Sequence, residues 1–165
     1  MQLRKIIGWT ILVLVVGFGV VLIAPKVNAA REHANRAECA RHLRVIFGAI
    51  VAYGNQNGDR LPPNAEAFAS HLSDAGAWAC PSCKPSGSAS SSYIYLGGAL
   101  GNYMNRVENP QQTVLLYELP SNHGGDGFNV IFASGQGAWI PAWEAKNVLA
   151  RIEKLQAKGA VVSGN

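Results

Sequence analysis

Aromatic side chains are scarce in this chain, and charge of either sign is nearly balanced. Only 8% of its 165 residues are Phe, Trp or Tyr, while 18 are glycine, so the expected core is modest and the fold rich in turns. The formal net charge is +4, and Arg4 and Lys5 at the N-terminus account for half of it. So weak and scattered a positive balance excludes a nucleic-acid surface. Also missing are G-x-S-x-G, H-E-x-x-H and any phosphate-binding loop. The expectation is a protein that is not an enzyme and takes no small-molecule substrate. No internal repeat is visible, and the length suits one domain plus an accessory segment rather than two domains.

What is present first is an uncharged run. Residues 6–24, IIGWTILVLVVGFGVVLIA, contain no ionisable side chain. As a helix they span about 28 Å at about 1.5 Å per residue, roughly one bilayer core. Backbone amides in lipid must be satisfied within the segment, which dictates helix. Residues 1–5 carry Arg4 and Lys5, which the positive-inside rule keeps in the cytoplasm. The expectation is a single-pass inner-membrane protein whose residues after Pro25 lie across the membrane, in a periplasmic or extracellular, oxidising space. The rival is a cleaved signal peptide, with Val27, Asn28 and Ala29 as a loose cleavage site. The run exceeds the usual signal core, and helical pattern continues through the cut. Gly17 and Gly19 permit close helix contacts within the bilayer.

Residues 25–60 read as a spine helix. Cys39, Leu43, Ile46, Ile50 and Tyr53 recur at spacings of four and three, flanked by Ala40, Phe47 and Val51, which makes one apolar stripe. Glu32 to Arg36 and Glu38 to His42 form i,i+4 pairs on other faces, and His33 and His42 sit among charged residues as solvated side chains. Pro25 is a site for a bend. Residues 61–165 form the expected head. Asn64 caps a short helix over 65–73 with Phe68 and Leu72 inward. Residues 76–92 are loop. Strands follow at 92–97 and 112–119, then a hairpin of 128–133 and 137–140 turning at Ser134-Gly135. A closing helix over 142–158 carries Ala145, Leu149, Ile152 and Leu155 on one side. Trp139 and Trp143 flank Pro141 and are expected to dock that helix onto the core. The fold class is α+β, with a long N-terminal helix packed on a small antiparallel sheet and a C-terminal helix.

The chemistry-bearing residues are few. Cys80 and Cys83 make a C-x-x-C, but Lys84, Pro85 and a serine-rich loop follow where a thiol oxidoreductase needs a helix N-terminus. A zinc site would draw on Cys39, Cys80, Cys83 and one of His33, His42, His71 or His123. A structural role uses disulfides. Cys39 faces the head from the helix stripe, so a bridge from Cys39 to Cys80 closes a long loop, while Cys80 to Cys83 closes a tiny one; both pairings stay open. The glycine-rich segment NHGGDGFN places His123, Asn122, Asp126 and Asn129 near Glu118. It suits a turn better than a calcium loop, which needs more carboxylates. No metal or cofactor is therefore expected, with Cys80, Cys83, His123 and Asp126 the residues a metal would use.

The order of these motifs resembles bacterial type IV pilin-like proteins, specifically the type II secretion pseudopilin-like group. The N-terminal part is AAREHANRAECARHLRVIFGAIVAYGNQNGDRLPP after Pro25. In the second half the matching pieces are CPS at 80–82, SYIYLG at 92–97, PQQTVLLYE at 110–118 and NHGGDGFNVIFASGQGAWI at 122–140. Two features depart from that pattern. The span has no glutamate after a Gly-aromatic leader, where assembling members are cleaved by prepilin peptidase, and the last turn reads Ser134-Gly135-Gln136-Gly137 without its usual acid. The resemblance implies a structural component of a pilus-like or secretion assembly in the bacterial envelope. Its partners would be the lipid bilayer and other proteins or copies of itself through the N-terminal helix. The alternative is a membrane-tethered ligand- or metal-binding domain.

Overall fold

The computed structural model describes residues 2–82 and 92–162. The chain divides into two compact units, Met1–Ala34 and Asn35–Asn165. Helix α1 is assigned over Gln2–Gln56, unbroken at Pro25. In the first unit the aromatic side chains of Trp9 and Phe18 are 69% and 68% exposed. Among the described residues no helix is long and apolar enough to cross a membrane. Of residues 6–24, only the side chains of Trp9, Phe18 and Ala24 belong to that set, so the expected span gains no support there.

The second unit is organised around a four-stranded antiparallel sheet: β1 (Tyr93–Tyr95), β2 (Val114–Glu118), β3 (Gly127–Phe132) and β4 (Gly137–Pro141), in sequence order. The register pairs Tyr93 with Glu118, Tyr117 with Val130 and Asn129 with Trp139. Both faces of the sheet are covered, which explains why β2 is buried at every position. On one side, Cys39, Leu43, Ile46 and Ile50 of α1 join Phe68, Tyr93, Leu115, Leu116 and Ile131 in one cluster. On the other, Val114, Tyr117, Phe128, Val130 and Ile140 meet Val148 and Ile152 of the final helix, α3 (Ala142–Val162). A bulge between Val114 and Leu116 breaks the alternation and lets Leu115 and Leu116 share one cluster. Between β1 and β2 lies a one-turn helix, α2 (Gly97–Leu100).

Several boundaries differ from expectation for identifiable reasons. Helix α1 stops at Gln56 rather than residue 60, because Gly58 and Asp59 both turn to positive φ (66° and 61°). Asp59 N–H then closes onto the Gly54 carbonyl at 2.9 Å. The helix expected over 65–73 is a shorter 3-10 helix, Glu66–His71. Asn64 does accept from Ala67 N–H at 3.0 Å, yet so short a piece tightens to i,i+3 bonding, and Leu72 falls beyond its end. The expected loop over 76–92 contains a 3-10 turn at Ala75–Trp78, capped by Asp74. Strands β1 and β2 are shorter than 92–97 and 112–119, β3 runs one residue earlier than expected, and α3 extends to Val162.

The hairpin of β3 and β4 depends on Gly127. A Cβ there would run into the Ile140 carbonyl and stand 2.7 Å from the Trp139 ring, and φ is +155°. Neither a backbone carbonyl nor a packed indole yields cheaply. Gly127→Ala is expected to destabilise the chain by about 2–3 kcal/mol, the upper range for overpacking. Thermal unfolding of the full chain, followed by near-UV circular dichroism, measures this, and an unchanged midpoint refutes it.

Candidate functional site

The polar residues of the head gather at one edge of the core cluster under α1. Cys39 lies on the inner stripe of that helix, and Cys80 follows the Ala75–Trp78 turn. Both are buried, and among the described residues no disulfide joins them. Cys39 Sγ–H donates to Cys80 Sγ at 3.3 Å. Cys80 is held by its own amide, which donates to Ser92 Oγ at 3.1 Å. The Cys39 thiol is pushed far above its ordinary pKa, first by the hydrogen bond with Cys80 and then by burial. Tyr93, beside it, is likewise held neutral, by burial first and by Cys39 second.

A carboxylate and an imidazole form the other half. Glu118, the last residue of β2, is 0% exposed. It accepts from the backbone N–H of Asn129, from Asn129 Nδ2 at 2.9 Å and from His123 Nε2 at 3.2 Å. Because a carboxylate only accepts, the His123 proton sits on Nε2, and Nδ1 accepts from Ser82 Oγ–H at 3.2 Å. His123 stands in the turn Asn122–Gly125 at φ 56°, ψ 31°. That left-handed conformation is uncommon for a residue with a Cβ. Its ring lies edge-on to Trp139 with centroids 5.7 Å apart. Cys39, Cys80 and His123 each offer one ligand atom, and the three atoms lie within 4.8 Å of one another, all buried.

A cysteine, an imidazole and a carboxylate in sequence are the components of thiol acyl-transfer chemistry. That chemistry requires a thiolate reachable by substrate. Here the Cys39 thiol is held protonated and sealed in the core. The arrangement suits a closed polar core element: a sulfur pair that can be bridged, or a donor set that can hold a soft cation.

The remaining sequence candidates divide sharply. Cys83 lies outside the described residues. Asp126 is on the surface, its side chain 68% exposed, and pairs with Arg36 at 2.6 Å. The two carboxylates proposed for a calcium loop are therefore committed elsewhere, Glu118 inside and Asp126 outside, while Asn122 is buried with Nδ2 on the Ser92 carbonyl at 3.4 Å. His33 is exposed. His71 is half-buried and bonds Ser70 and Gln56. His42 corrects the expectation of a solvated histidine. It is buried, its Nδ1 donates to the Ala79 carbonyl at 3.1 Å, and its Nε2 lies 3.2 Å from Glu38. It thereby straps the Cys80 segment to α1. Trp143 corrects another: it is 81% exposed and docks nothing in the core, whereas Trp139 is half-buried, with the Arg36 guanidinium 4.5 Å over its ring.

Sequence reasoning missed Glu118 as the hub. Its only signal is an ionisable residue closing an otherwise apolar strand, VLLYE. A groove of about 200 Å³ between the sheet and α3, lined by Val114, Phe132, Ile140, Val148 and Ile152, lies apart from this cluster. Compared with known protein families, curated proteins and solved structures, the chain matches none.

Proposed function

We propose that the chain is a membrane-anchored structural subunit of a pilin-like assembly in the bacterial envelope. Residues 6–24 hold it in the inner membrane with the N-terminus in the cytoplasm, and the head lies across the membrane. The observation that supports the assembly role most directly is the outer face of α1 within the second unit. Ala37, Arg41, Arg44, Gly48, Val51 and Asn55 are all exposed, at alternating spacings of four and three. That is the period with which one helix meets another. The opposite stripe, Cys39, Leu43, Ile46 and Ile50, is fully engaged by the head. Nothing stands within 4 Å of where a Gly48 Cβ would be, which leaves room for close approach by a neighbouring helix. The anchor rests on 19 uncharged residues and on two aromatic side chains, Trp9 and Phe18, turned outward.

The test is site-specific photo-crosslinking in native membranes, with the probe at Val51 and, as a control on the head, at Gln112. Adducts to a second chain are expected from Val51 and few from Gln112, with the protein retained in membranes through an alkaline carbonate wash. A lone monomer that gives no adduct from Val51 overturns the assembly role. Release by carbonate overturns the anchor.

A further inference from the structure

We propose that Cys39, Cys80 and His123 form a binding site for a thiophilic d10 cation, with zinc(II) as the representative ion. The inference concerns the reduced chain, before any bond joins Cys39 to Cys80. Three segments distant in sequence supply the donors: α1, the chain after the Ala75–Trp78 turn, and the Asn122–Gly125 turn. Tetrahedral zinc with sulfur at about 2.3 Å places two thiolates roughly 3.8 Å apart. The two sulfurs already stand 3.3 Å apart, so about half an ångström of adjustment suits the sulfur pair, and the imidazole lies within 4.8 Å of both.

The imidazole is prepared for this role. Nε2–H is given to Glu118, leaving the Nδ1 lone pair directed at a donor, at present the Ser82 hydroxyl. A cation takes that lone pair in place of the hydroxyl. A ligating histidine whose other nitrogen donates to a carboxylate is the usual supporting arrangement of metal sites, because the carboxylate fixes the tautomer and raises ring basicity. Glu118 is fixed in turn by both nitrogens of Asn129. The left-handed backbone at His123 is what turns this ring inward, and such strain persists where the surroundings over-determine it.

Charge and softness select the ion. Two thiols lose their protons to solvent on binding, and the two resulting thiolates neutralise a dication, leaving a centre compatible with burial. Hard cations want six or more oxygens, and the nearby acid that might add them, Asp126, is paired with Arg36 at the surface. Sulfur with imidazole favours zinc-like ions.

The experiment uses the full chain in detergent, reduced and metal-free, carrying Cys83→Ser so that the thiolates counted are those of Cys39 and Cys80. Titration with zinc against a chromophoric chelator is expected to give one equivalent per chain with release of two protons. Cobalt(II) is expected to give thiolate charge-transfer absorption of two-sulfur intensity. Glu118→Gln is expected to weaken zinc binding about 10- to 100-fold, the usual effect of losing an outer partner. His123→Gln and Cys39→Ser are expected to abolish stoichiometric binding. The stoichiometry and the cobalt spectrum need no change to a ligand, so misfolding of a ligand variant leaves the test intact. Failure to bind one equivalent, a cobalt spectrum without thiolate bands, or binding indifferent to His123→Gln overturns the proposal.

Discussion

Replacing Glu118 by alanine is expected to destabilise the head by about 3–5 kcal/mol, because several buried donors lose their acceptor together. The carboxylate has no access to solvent and takes three donors: Asn129 N–H, Asn129 Nδ2 and His123 Nε2. Alanine leaves all three facing a cavity, and each unsatisfied buried donor costs about 1–3 kcal/mol. Against a typical total of about 5–15 kcal/mol for a domain, that is a large share of the margin. Glutamine keeps an acceptor for Asn129 and most of the volume, so Glu118→Gln is expected to cost less, about 1–2 kcal/mol. Asp126→Ala supplies the contrast. Its pair with Arg36 stands at 2.6 Å, but the Asp126 side chain is 68% exposed, and exposed pairs contribute about 0–1 kcal/mol. Thermal and urea unfolding of the three variants in the full chain should rank them alanine, glutamine, Asp126→Ala. Equal midpoints for Glu118→Ala and Asp126→Ala would show that the buried carboxylate is not a structural hub.

The difference between those two acids also marks where the sequence is legible. Regular elements announce themselves: the 3-4 spacing of Cys39, Leu43, Ile46 and Ile50 identifies the buried face of α1, and short apolar runs bounded by turn residues locate all four strands. Residues just off a stripe are harder. His42 stands three positions after Cys39, 300° around the helix and therefore only 60° from the inner face. Its charged neighbours Glu38 and Arg41 nevertheless suggest solvent. Trp143 errs the other way. The inner face of α3 is set by Val148 and Ile152, and five residues back from Val148 is about 140° around the axis. An indole there points outward however hydrophobic it is. Turns carry no period at all. The glycines of NHGGDG promise positive φ, which Gly124 and Gly125 adopt at 69° and 82°. Nothing in the spacing says that His123 shares that conformation or that its ring is buried against Glu118. The convergence of Cys39, Cys80 and His123 is a property of the assembled sheet, visible only once β2 and β3 set the register.

Oxidation of the Cys39 and Cys80 pair is expected to raise the stability of the chain by about 3–4 kcal/mol, from the loss of unfolded-state freedom when a loop of some forty residues is closed. The pairing is separated by 41 positions, and a bond requires the sulfurs to approach from 3.3 Å to about 2.05 Å, within reach of small χ adjustments. The route matters as much as the product. Exchange proceeds through a thiolate attacking an accessible disulfide, whereas Cys39 is held protonated by Cys80 and by burial. Folded, reduced protein is therefore expected to oxidise slowly with oxidised glutathione. The same chain refolded from denaturant in a glutathione redox buffer should acquire the bond in full, giving an intact mass two hydrogens lower. In an oxidising envelope the staple would form during folding, before α1 closes over the sheet, and a chain so bridged can no longer offer thiolates to zinc. Peptide mapping decides the partner: a bridge between Cys80 and Cys83 with Cys39 left as a thiol refutes the pairing, as would equal unfolding midpoints for the oxidised and reduced chains. Cys83→Ser should leave the bond and its stabilisation intact, whereas Cys80→Ser should remove both, because the thiol that Cys39 faces across the core is that of Cys80.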